Sequence, residues 1–281
     1  MRQFISSEFP DKQGLLCITG KDFRYLRQVL RLKTGDMLAV RLPDGTLQNT
    51  TVCQSEENSK RILLQVCGAA QNSSENTNVT RGVKASEIQD SAFDVEYTLF
   101  QYVAKPSKME QIVRQAVECG VKFVVPVVGE YSQKQNVLAL EKSKSERIER
   151  IVREARQQSG SPVQTEVLKP LSTLQAVEYW KNSVLQIEGS QKNCKALVLW
   201  ERNENTKSFC EIFGQTQIKN LKKIAIAVGC EGGISPQEMD VLSSGGFFPI
   251  HFDGNILRCE TAALYGIAAV QQAVQIFSQK K

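Results

Sequence analysis

The sequence predicts an α/β protein built in two parts, and three observations support this prediction. Short strand-like runs with turn signals fill residues 1–69, a polar stretch covers 70–92, and apolar strands alternate with amphipathic helices over 93–281. Closely spaced short strands indicate a small β-domain or barrel. Alternating strands and helices indicate a mostly parallel sheet covered on both faces. We therefore expect a small N-terminal β-barrel, a linker or surface insertion, and a larger α/β domain.

The N-terminal part is predicted to contain several strands and one short helix. The strands are expected at 38–42, 50–53 and 61–66. The helix is expected at about 21–31, because four apolar residues at helical spacing form one stripe, namely Phe23, Leu26, Val29 and Leu30. Three arginines stand beside that stripe, namely Arg24, Arg27 and Arg31.

The C-terminal part alternates strands and helices. Strands are expected at 97–104, 123–128, 196–200, 223–228 and 247–252. Helices are expected at 107–119, 145–158 and 261–277. Pro126 falls inside the second of these strands. Because proline cannot donate a ladder hydrogen bond, it indicates that this strand lies at a sheet edge or ends there.

The composition excludes several kinds of site. Among 281 residues there are one histidine and eight cysteines. A single histidine excludes a two-histidine metal site, and the cysteines are too widely spaced to form a CxxC pair, so no metal is expected. The sequence shows no secretory leader and no apolar run long enough to span a membrane. We therefore expect a cytoplasmic protein with reduced thiols.

The charge pattern is compatible with a polyanionic partner. The net charge is +5, and the segment 105–156 holds eleven basic residues against seven acidic ones. Clustered positive charge attracts phosphate groups. The same residues also fit solvated helix faces with interspersed charges, so charge alone leaves both interpretations open.

A glycine-rich loop follows the strand at 223–228. It reads Gly-Cys-Glu-Gly-Gly over 229–233, and Ser235, Pro236 and Glu238 then have the pattern of a capping box that begins a helix. Glycines at the carboxyl end of a strand let the backbone approach a ligand and leave N–H groups to bind it. The spacing is neither GxGxxG nor a P-loop, so a tight strand–helix turn without a ligand fits the pattern equally well.

A second unusual loop precedes the final helix. It reads Ile-Leu-Arg-Cys-Glu-Thr-Ala over 256–262. Because Ile256 and Leu257 are apolar, we expect this loop to be buried. Arg258 and Glu260 must then be paired or bound to a ligand. An ion pair between the two, or between Arg258 and a helix terminus, would also satisfy their charges.

Together these loops resemble the RsmE family of SPOUT RNA methyltransferases, which carries a GPEGG-type loop and an ILRxETA segment. Shorter matches to this family lie at 29–31, 35–36, 105–110, 118–121 and 158–159. The sequence departs from the family at a few positions. Cys230 replaces a proline, Tyr131 and Ser161 each replace an arginine, and 252–255 replaces a Leu-Gly-x-Arg lead-in.

The resemblance implies both a fold and an activity. The N-terminal part would be a PUA-like barrel that binds RNA, and the C-terminal part a SPOUT domain with a deep trefoil knot, which is rare among folds. The family forms homodimers and binds S-adenosyl-L-methionine in the knot. The implied reaction is methylation of N3 of a uridine in 16S ribosomal RNA, a component of the small ribosomal subunit.

The resemblance also implies site residues. The cofactor pocket would be lined by Leu199, Trp200, Glu201, Gly229, Glu231, Gly232, Gly233, Ile256, Leu257 and Arg258. The expected RNA contacts are Arg2, Arg24, Arg27, Arg31, Lys105 and Lys108.

Transfer to uridine N3 requires loss of the N3 proton. Arg258 is the candidate that would stabilise the uracil anion or contact a phosphate. Glu260 and Glu231 are the candidate carboxylates, although capping or orientation of Arg258 fits them equally well. His251 is expected to be a core or rim residue.

Alternatives to this function are a SPOUT enzyme acting on another rRNA or tRNA position, or a non-catalytic RNA-binding or assembly protein. A nucleotide-dependent oxidoreductase is disfavoured by the glycine spacing.

Overall fold

The structure, a computed structural model, describes residues 3–56, 58–67, 95–142, 146–185, 187, 190–214 and 218–279. Two compact units are present: Met1–Asp90 with Gln157–Gly160, and Ser91–Arg156 with Ser161–Lys281. The predicted linker at 70–92 lies outside the described residues, so the domain boundaries stay a prediction. Within the described ranges, no helix is both long enough and apolar enough to cross a membrane.

The first unit contains a five-stranded sheet. Its strands are β1 (Gln3–Ile5), β2 (Leu15–Thr19), β3 (Met37–Arg41), β4 (Leu47–Glu56) and β5 (Arg61–Val66). They lie in the order β1-β3-β4-β5-β2, and among these described strands only the β1–β3 pair is parallel. Alternate side chains point inward, as a sheet with one buried face requires. The fully buried members of this core include Phe4, Leu26, Val40, Ile62 and Leu64.

The predicted helix at 21–31 is an α-helix, α1 (Gly20–Arg24), which continues as one π-helical turn, Tyr25–Val29. The inward stripe is confirmed for Phe23 but wrong for Val29, which is 64% exposed. The wider π-helical turn rotates Val29 out of the α-helical register.

The second unit contains a parallel sheet. Its strands are β6 (Glu96–Tyr102), β7 (Phe123–Val128), β8 (Glu166–Val167), β9 (Leu171–Ser172), β10 (Cys194–Leu199), β11 (Lys223–Val228) and β12 (Phe247–Ile250). The order is β12-β10-β11-β6-β7-β8, and β9 also pairs with β7. Every pairing is parallel. The central strands are almost continuously apolar because helices cover both faces of such a sheet. The last predicted strand, 247–252, is shorter than expected.

Helices connect these strands. They are α2 (Pro106–Glu118), α3 (Lys134–Lys142), α4 (Glu146–Ser159), α5 (Thr173–Leu185), α6 (Ser190–Asn193), α7 (Phe209–Phe213), α8 (Pro236–Ser244) and α9 (Cys259–Gln279), with a 3-10 turn at Ile218–Asn220. The predictions for α2, α4 and α9 are confirmed to within a few residues. In α2 the inward face is the one that the periodicity predicts, including Met109, Ile112 and Ala116.

The expectation that Pro126 marks a sheet edge or a strand end is wrong. Pro126 lies inside β7, opposite Gln101 of β6, and not at a sheet edge or strand end. On the other side of β7, β8 pairs only with Phe123 and Val124, and β9 only with residues from Val127 onward. The proline therefore falls between two short partner strands, where β7 needs no N–H donor on that side.

We expect the core of the second unit to depend on Leu99, which lies fully buried in the central strand β6. Leu99→Ala should lower the free energy of unfolding by about 2–5 kcal/mol, because it leaves a cavity in a packed core. Urea unfolding measures this change. Leu185→Ala is the control, since Leu185 is 72% exposed and should leave stability within about 0.5 kcal/mol. Equal effects of the two substitutions would contradict the assigned core.

Candidate functional site

A cavity of about 290 Å³ opens in the second unit where three neighbouring parallel strands end. Its walls come from 199–201 at the end of β10, 228–234 at the end of β11, and 250–252 with 254–257 at the end of β12. Cys259 and Ala262 at the start of α9 complete it. Ligand sites of α/β sheets lie at the carboxyl ends of strands, so the position is the expected one.

Nine of the ten predicted cofactor residues line this cavity. They are Leu199, Trp200, Glu201, Gly229, Glu231, Gly232, Gly233, Ile256 and Leu257. The tenth, Arg258, is exposed and is not among the lining residues. The sequence reasoning missed several lining positions, among them His251, Phe252 and Asn255. All three lie between the end of β12 and Ile256, so a predicted cavity wall that began at the end of β12 would have included them.

The glycine-rich loop forms one wall and is tightly folded. A Cβ placed on Gly229 would lie 2.7 Å from the carbonyl carbon of Gly233, which leaves no room for a side chain. The backbone N–H of Gly233 donates to the carbonyl oxygen of Cys230 at 3.0 Å, and the two residues form an isolated β-bridge. The loop thus presents backbone to the cavity, as the sequence predicts.

The predicted capping box is confirmed. The Ser235 side chain accepts a hydrogen bond from the backbone N–H of Glu238, whose carboxylate accepts one from the N–H of Ser235 at 3.0 Å. The Glu238 carboxylate also accepts from the backbone N–H of Glu130 at 3.0 Å and from the hydroxyl of Thr173 at 3.1 Å. Glu238 therefore joins the start of α8 to the loop after β7 and to the start of α5.

Lys108 connects the two motif loops. Its ammonium nitrogen lies 2.9 Å from the Glu260 carboxylate and 3.6 Å from the Glu231 carboxylate. The backbone N–H of Lys105 also donates to Glu231 at 3.3 Å. Helix α2 thereby holds the glycine-rich loop and the start of α9 together. The anticipated pair between Arg258 and Glu260 is not formed, because Lys108 occupies that carboxylate.

These contacts shift the ionisation of both partners. Burial acts to raise the pKa of Glu260, but hydrogen bonds from its own backbone N–H and from Lys108 outweigh burial and lower it. The hydrogen bond to Glu260 raises the pKa of Lys108. Glu260 is therefore a carboxylate held in its charged form, which makes it a poor proton acceptor.

The expected burial of the ILRxETA loop is wrong. Ile256 is 85% exposed and Leu257 is 36% exposed. Both side chains line the open cavity, so they are exposed to solvent. Within the described part of the chain, the Arg258 guanidinium makes no hydrogen bond or ion pair. Its backbone carbonyl accepts from Ala262 at 2.7 Å as α9 begins.

His251 is a rim residue, as predicted. Its Nδ1 lies 3.1 Å from the backbone carbonyl oxygen of Trp200, and its Nε2 lies 4.0 Å from the exposed Asp253 carboxylate. Among the described residues, no cluster of three or more histidine, cysteine, aspartate or glutamate side chains could hold a metal ion.

The predicted RNA-contact residues differ in availability. Arg24, Arg31 and Lys105 are exposed. Arg27 donates to the backbone carbonyl of Leu32 at 2.6 Å and so helps to end the π-helical turn. Lys108 is engaged by the two carboxylates described above. Arg2 lies outside the described residues.

We expect the Lys108–Glu260 pair to stabilise the fold of the site. Lys108→Met, Glu260→Gln and the double variant should give a coupling free energy of about 1 kcal/mol in urea unfolding at neutral pH, since the partly buried side chains are in direct contact. The exposed Arg150–Glu154 pair should couple more weakly and serves as the control.

The pH dependence of this coupling follows from the pKa shifts. Because the pKa of Glu260 is lowered in the folded state, the coupling should be present above the ordinary carboxyl pKa and disappear as the pH falls through the lowered value. A coupling that survives protonation of Glu260, or additive single substitutions at neutral pH, would contradict the ion pair.

Thiol reactivity should distinguish the two buried cysteines of the cavity from the four exposed cysteines. Cys230 and Cys259 are buried. Burial raises the pKa of both thiols, that of Cys259 to about 12. Four other cysteines are exposed: Cys17, Cys53, Cys67 and Cys210. Because only thiolates react, brief alkylation at pH 8 should label the exposed four and spare Cys230 and Cys259, as read by peptide mass spectrometry. Prompt labelling of Cys259 would contradict this assignment.

Comparison with known proteins agrees with the architecture. The family described as the RNA methyltransferase domain matches residues 91–271. Ribosomal RNA small subunit methyltransferase E of Aquifex aeolicus is 29% identical over 180 residues, covering 63% of this chain and 69% of that protein. The protein of the same name from Rickettsia conorii is 26% identical over 271 residues, covering 96% and 94% of the two chains.

A solved structure shows the same fold along nearly the whole chain. The ribosomal RNA small subunit methyltransferase E of Neisseria gonorrhoeae, determined with bound S-adenosyl methionine, has a TM-score of 0.69 at 22% identity and covers 97% of each chain. The relatives confirm the resemblance to the RsmE family. Because the domain match extends over well more than half of the sequence, this chain belongs to the RNA methyltransferase domain family.

Proposed function

We propose that this protein methylates N3 of a uridine in 16S ribosomal RNA with S-adenosyl-L-methionine as the donor. The observation that supports this most is the cavity, in which nine predicted cofactor residues meet at the ends of β10, β11 and β12. Relatives named ribosomal RNA small subunit methyltransferase E support the RNA substrate. Such a substrate would place the protein in the cytoplasm with the small ribosomal subunit.

The cavity residues fit this cofactor. A volume of about 290 Å³ is close to the lower end of the range for small-molecule sites, roughly 300–1,000 Å³. Apolar side chains such as Leu199 and Leu257 line it beside the exposed backbone of the glycine-rich loop. Lys108 is a single positive charge between the two carboxylates of Glu231 and Glu260, and Glu201 adds a further carboxylate to the cavity wall. The excess of negative charge favours a cationic sulfonium ligand. The cofactor supplies an activated methyl group, so the protein needs no nucleophilic side chain of its own.

The protein's part in the reaction is orientation and charge stabilisation. We assign Arg258 the role of stabilising the uracil anion when the N3 proton leaves, because its guanidinium is exposed beside the cavity and has no acidic partner in the described residues. Glu260 is assigned a positioning role instead of a catalytic one, since Lys108 holds its carboxylate. Lys105, Arg24 and Arg31 remain the proposed phosphate contacts, because they are exposed.

We further propose a barrel for the first unit, a knot for the second unit and a homodimer for the protein. The five-stranded sheet of the first unit would be a PUA-like barrel, and segment 254–258 would thread through the trefoil knot of a SPOUT domain. A homodimer through α9 is supported by the partly exposed apolar residues Leu264, Tyr265 and Ile276 on that helix. A second copy would remove these side chains from water.

Mass spectrometry of 16S rRNA from cells with and without the gene tests the proposed function. We expect one methylated uridine to lose its methyl group in the deletion strain and to regain it on complementation. An unchanged 16S rRNA, with a modification missing from other rRNA or tRNA, would identify another SPOUT substrate. Absence of S-adenosylmethionine binding in calorimetry would favour a non-catalytic RNA-binding protein.

Arg258→Ala should separate catalysis from cofactor binding. Because Arg258 does not line the cavity, the dissociation constant of S-adenosylmethionine should stay within about twofold. Methyl transfer should fall roughly 10²–10³-fold, as for removal of one group that stabilises a developing anion. Arg150→Ala, on the exposed face of α4, is the matched control. Unchanged transfer by Arg258→Ala would remove Arg258 from the mechanism.

A further inference from the structure

Tyr131 places an aromatic ring beside the cavity wall. It belongs to the loop after β7 and is 45% exposed. A Cβ placed on Gly232 would lie 2.8 Å from Cβ of Tyr131 and 3.4 Å from its ring atom Cδ2. Gly232 lines the cavity, so Tyr131 is the immediate neighbour of a wall residue, while Tyr131 itself is not among the lining residues.

The loop that carries Tyr131 is held in place. The backbone N–H of Ser132 donates to the carbonyl of Gly129 at 3.0 Å, and the N–H of Gly129 donates to the Ser132 hydroxyl oxygen at 3.2 Å. The N–H of Glu130 donates to Glu238, which also caps α8 directly after the glycine-rich loop. One carboxylate thus fixes the Tyr131 loop relative to the cavity wall.

The phenol hydroxyl is not what positions this side chain. Among the described residues it makes no hydrogen bond, and the Tyr131 atoms that a Cβ on Gly232 would meet are Cβ, Cγ and Cδ2. Because Tyr131 is 45% exposed, part of this residue remains accessible to a partner beside Gly232. A phenylalanine or tryptophan at this position could make the same contacts with Gly232.

Positive charge accompanies the ring along the glycine-rich loop. Lys105 is exposed, and its backbone N–H donates to the Glu231 carboxylate at 3.3 Å. Lys108 is not counted as a free cation, because its ammonium pairs with Glu231 and Glu260. Lysine and an aromatic ring thus stand beside consecutive residues, Glu231 and Gly232. Unpaired nucleotides are bound by this combination, in which a cation attracts the phosphate and a ring stacks on the base.

We propose that Tyr131 is the surface on which the target uracil stacks at the rim of the cavity. This inference rests on the proposed function. Methylation at N3 requires an unpaired base, because N3 lies on the pairing edge, and a base taken out of its helix loses its stacking neighbours. The Tyr131 ring replaces one of them. It is a substrate contact and takes no part in proton transfer.

Substitutions at Tyr131 test this role with small ribosomal subunits from cells that lack the gene. Tyr131→Ala should raise KM for the subunits roughly 5- to 150-fold, which corresponds to the loss of one base–aromatic stack. Tyr131→Phe and Tyr131→Trp should stay within about threefold of the wild type. S-adenosylmethionine affinity, measured by calorimetry, should change less than twofold in all three. Leu185→Ala removes an exposed apolar side chain at the end of α5 and should change neither quantity.

Two results would overturn the assignment. An unchanged KM for Tyr131→Ala would show that the ring does not contact the substrate. Loss of S-adenosylmethionine affinity in step with activity would show that Tyr131 only supports the glycine-rich loop. Failure of the proposed function has a different signature, since the wild-type protein itself would then transfer no methyl group to the subunits.

Discussion

The backbone contact between Gly229 and Gly233 determines how the rest of the site can be arranged. With no side chain between them, the chain reverses within five residues and exposes peptide groups to the cavity. The same reversal delivers Ser235 to the start of α8, where Glu238 caps the helix and reaches the neighbouring loops. A larger residue at Gly229 would disturb the wall, the helix start and the Tyr131 loop together.

Charge placement adds a second constraint. Lys108 stands between carboxylates from two segments that are far apart in sequence. Each carboxylate is partly withdrawn from water, and an unpaired charge there would be unfavourable. The pairing leaves Arg258 without an acidic partner among the described residues. A guanidinium without an internal ion pair can interact with an anionic substrate at no cost of breaking one.

Local patterns predicted the features that depend on local physics. The Ser235–Glu238 capping box, the inward face of α2 and the strand at 223–228 follow from spacing within a few residues. Lys108 is an expected RNA contact in the sequence analysis, and its ion pair with Glu260 was not foreseen. That pair joins positions 152 residues apart, so the neighbouring residues give no signal of it. The expectation that Ile256 is buried is wrong, because the side chain faces the open cavity. An apolar residue in a loop can pack against protein or against a bound ligand, and the sequence does not distinguish the two. Pro126 was misjudged because the gap between β8 and β9 depends on tertiary arrangement.

The order in which the cavity walls occur along the chain has a consequence for biosynthesis. Segments 199–201 and 228–234 are made before 250–262, which supplies the last wall and the Glu260 carboxylate. Domains fold as units while the chain emerges from the N-terminus. The binding site can therefore close only after the start of α9 has left the ribosome. A ligand that needs all three walls therefore binds only a domain whose synthesis has passed the start of that helix.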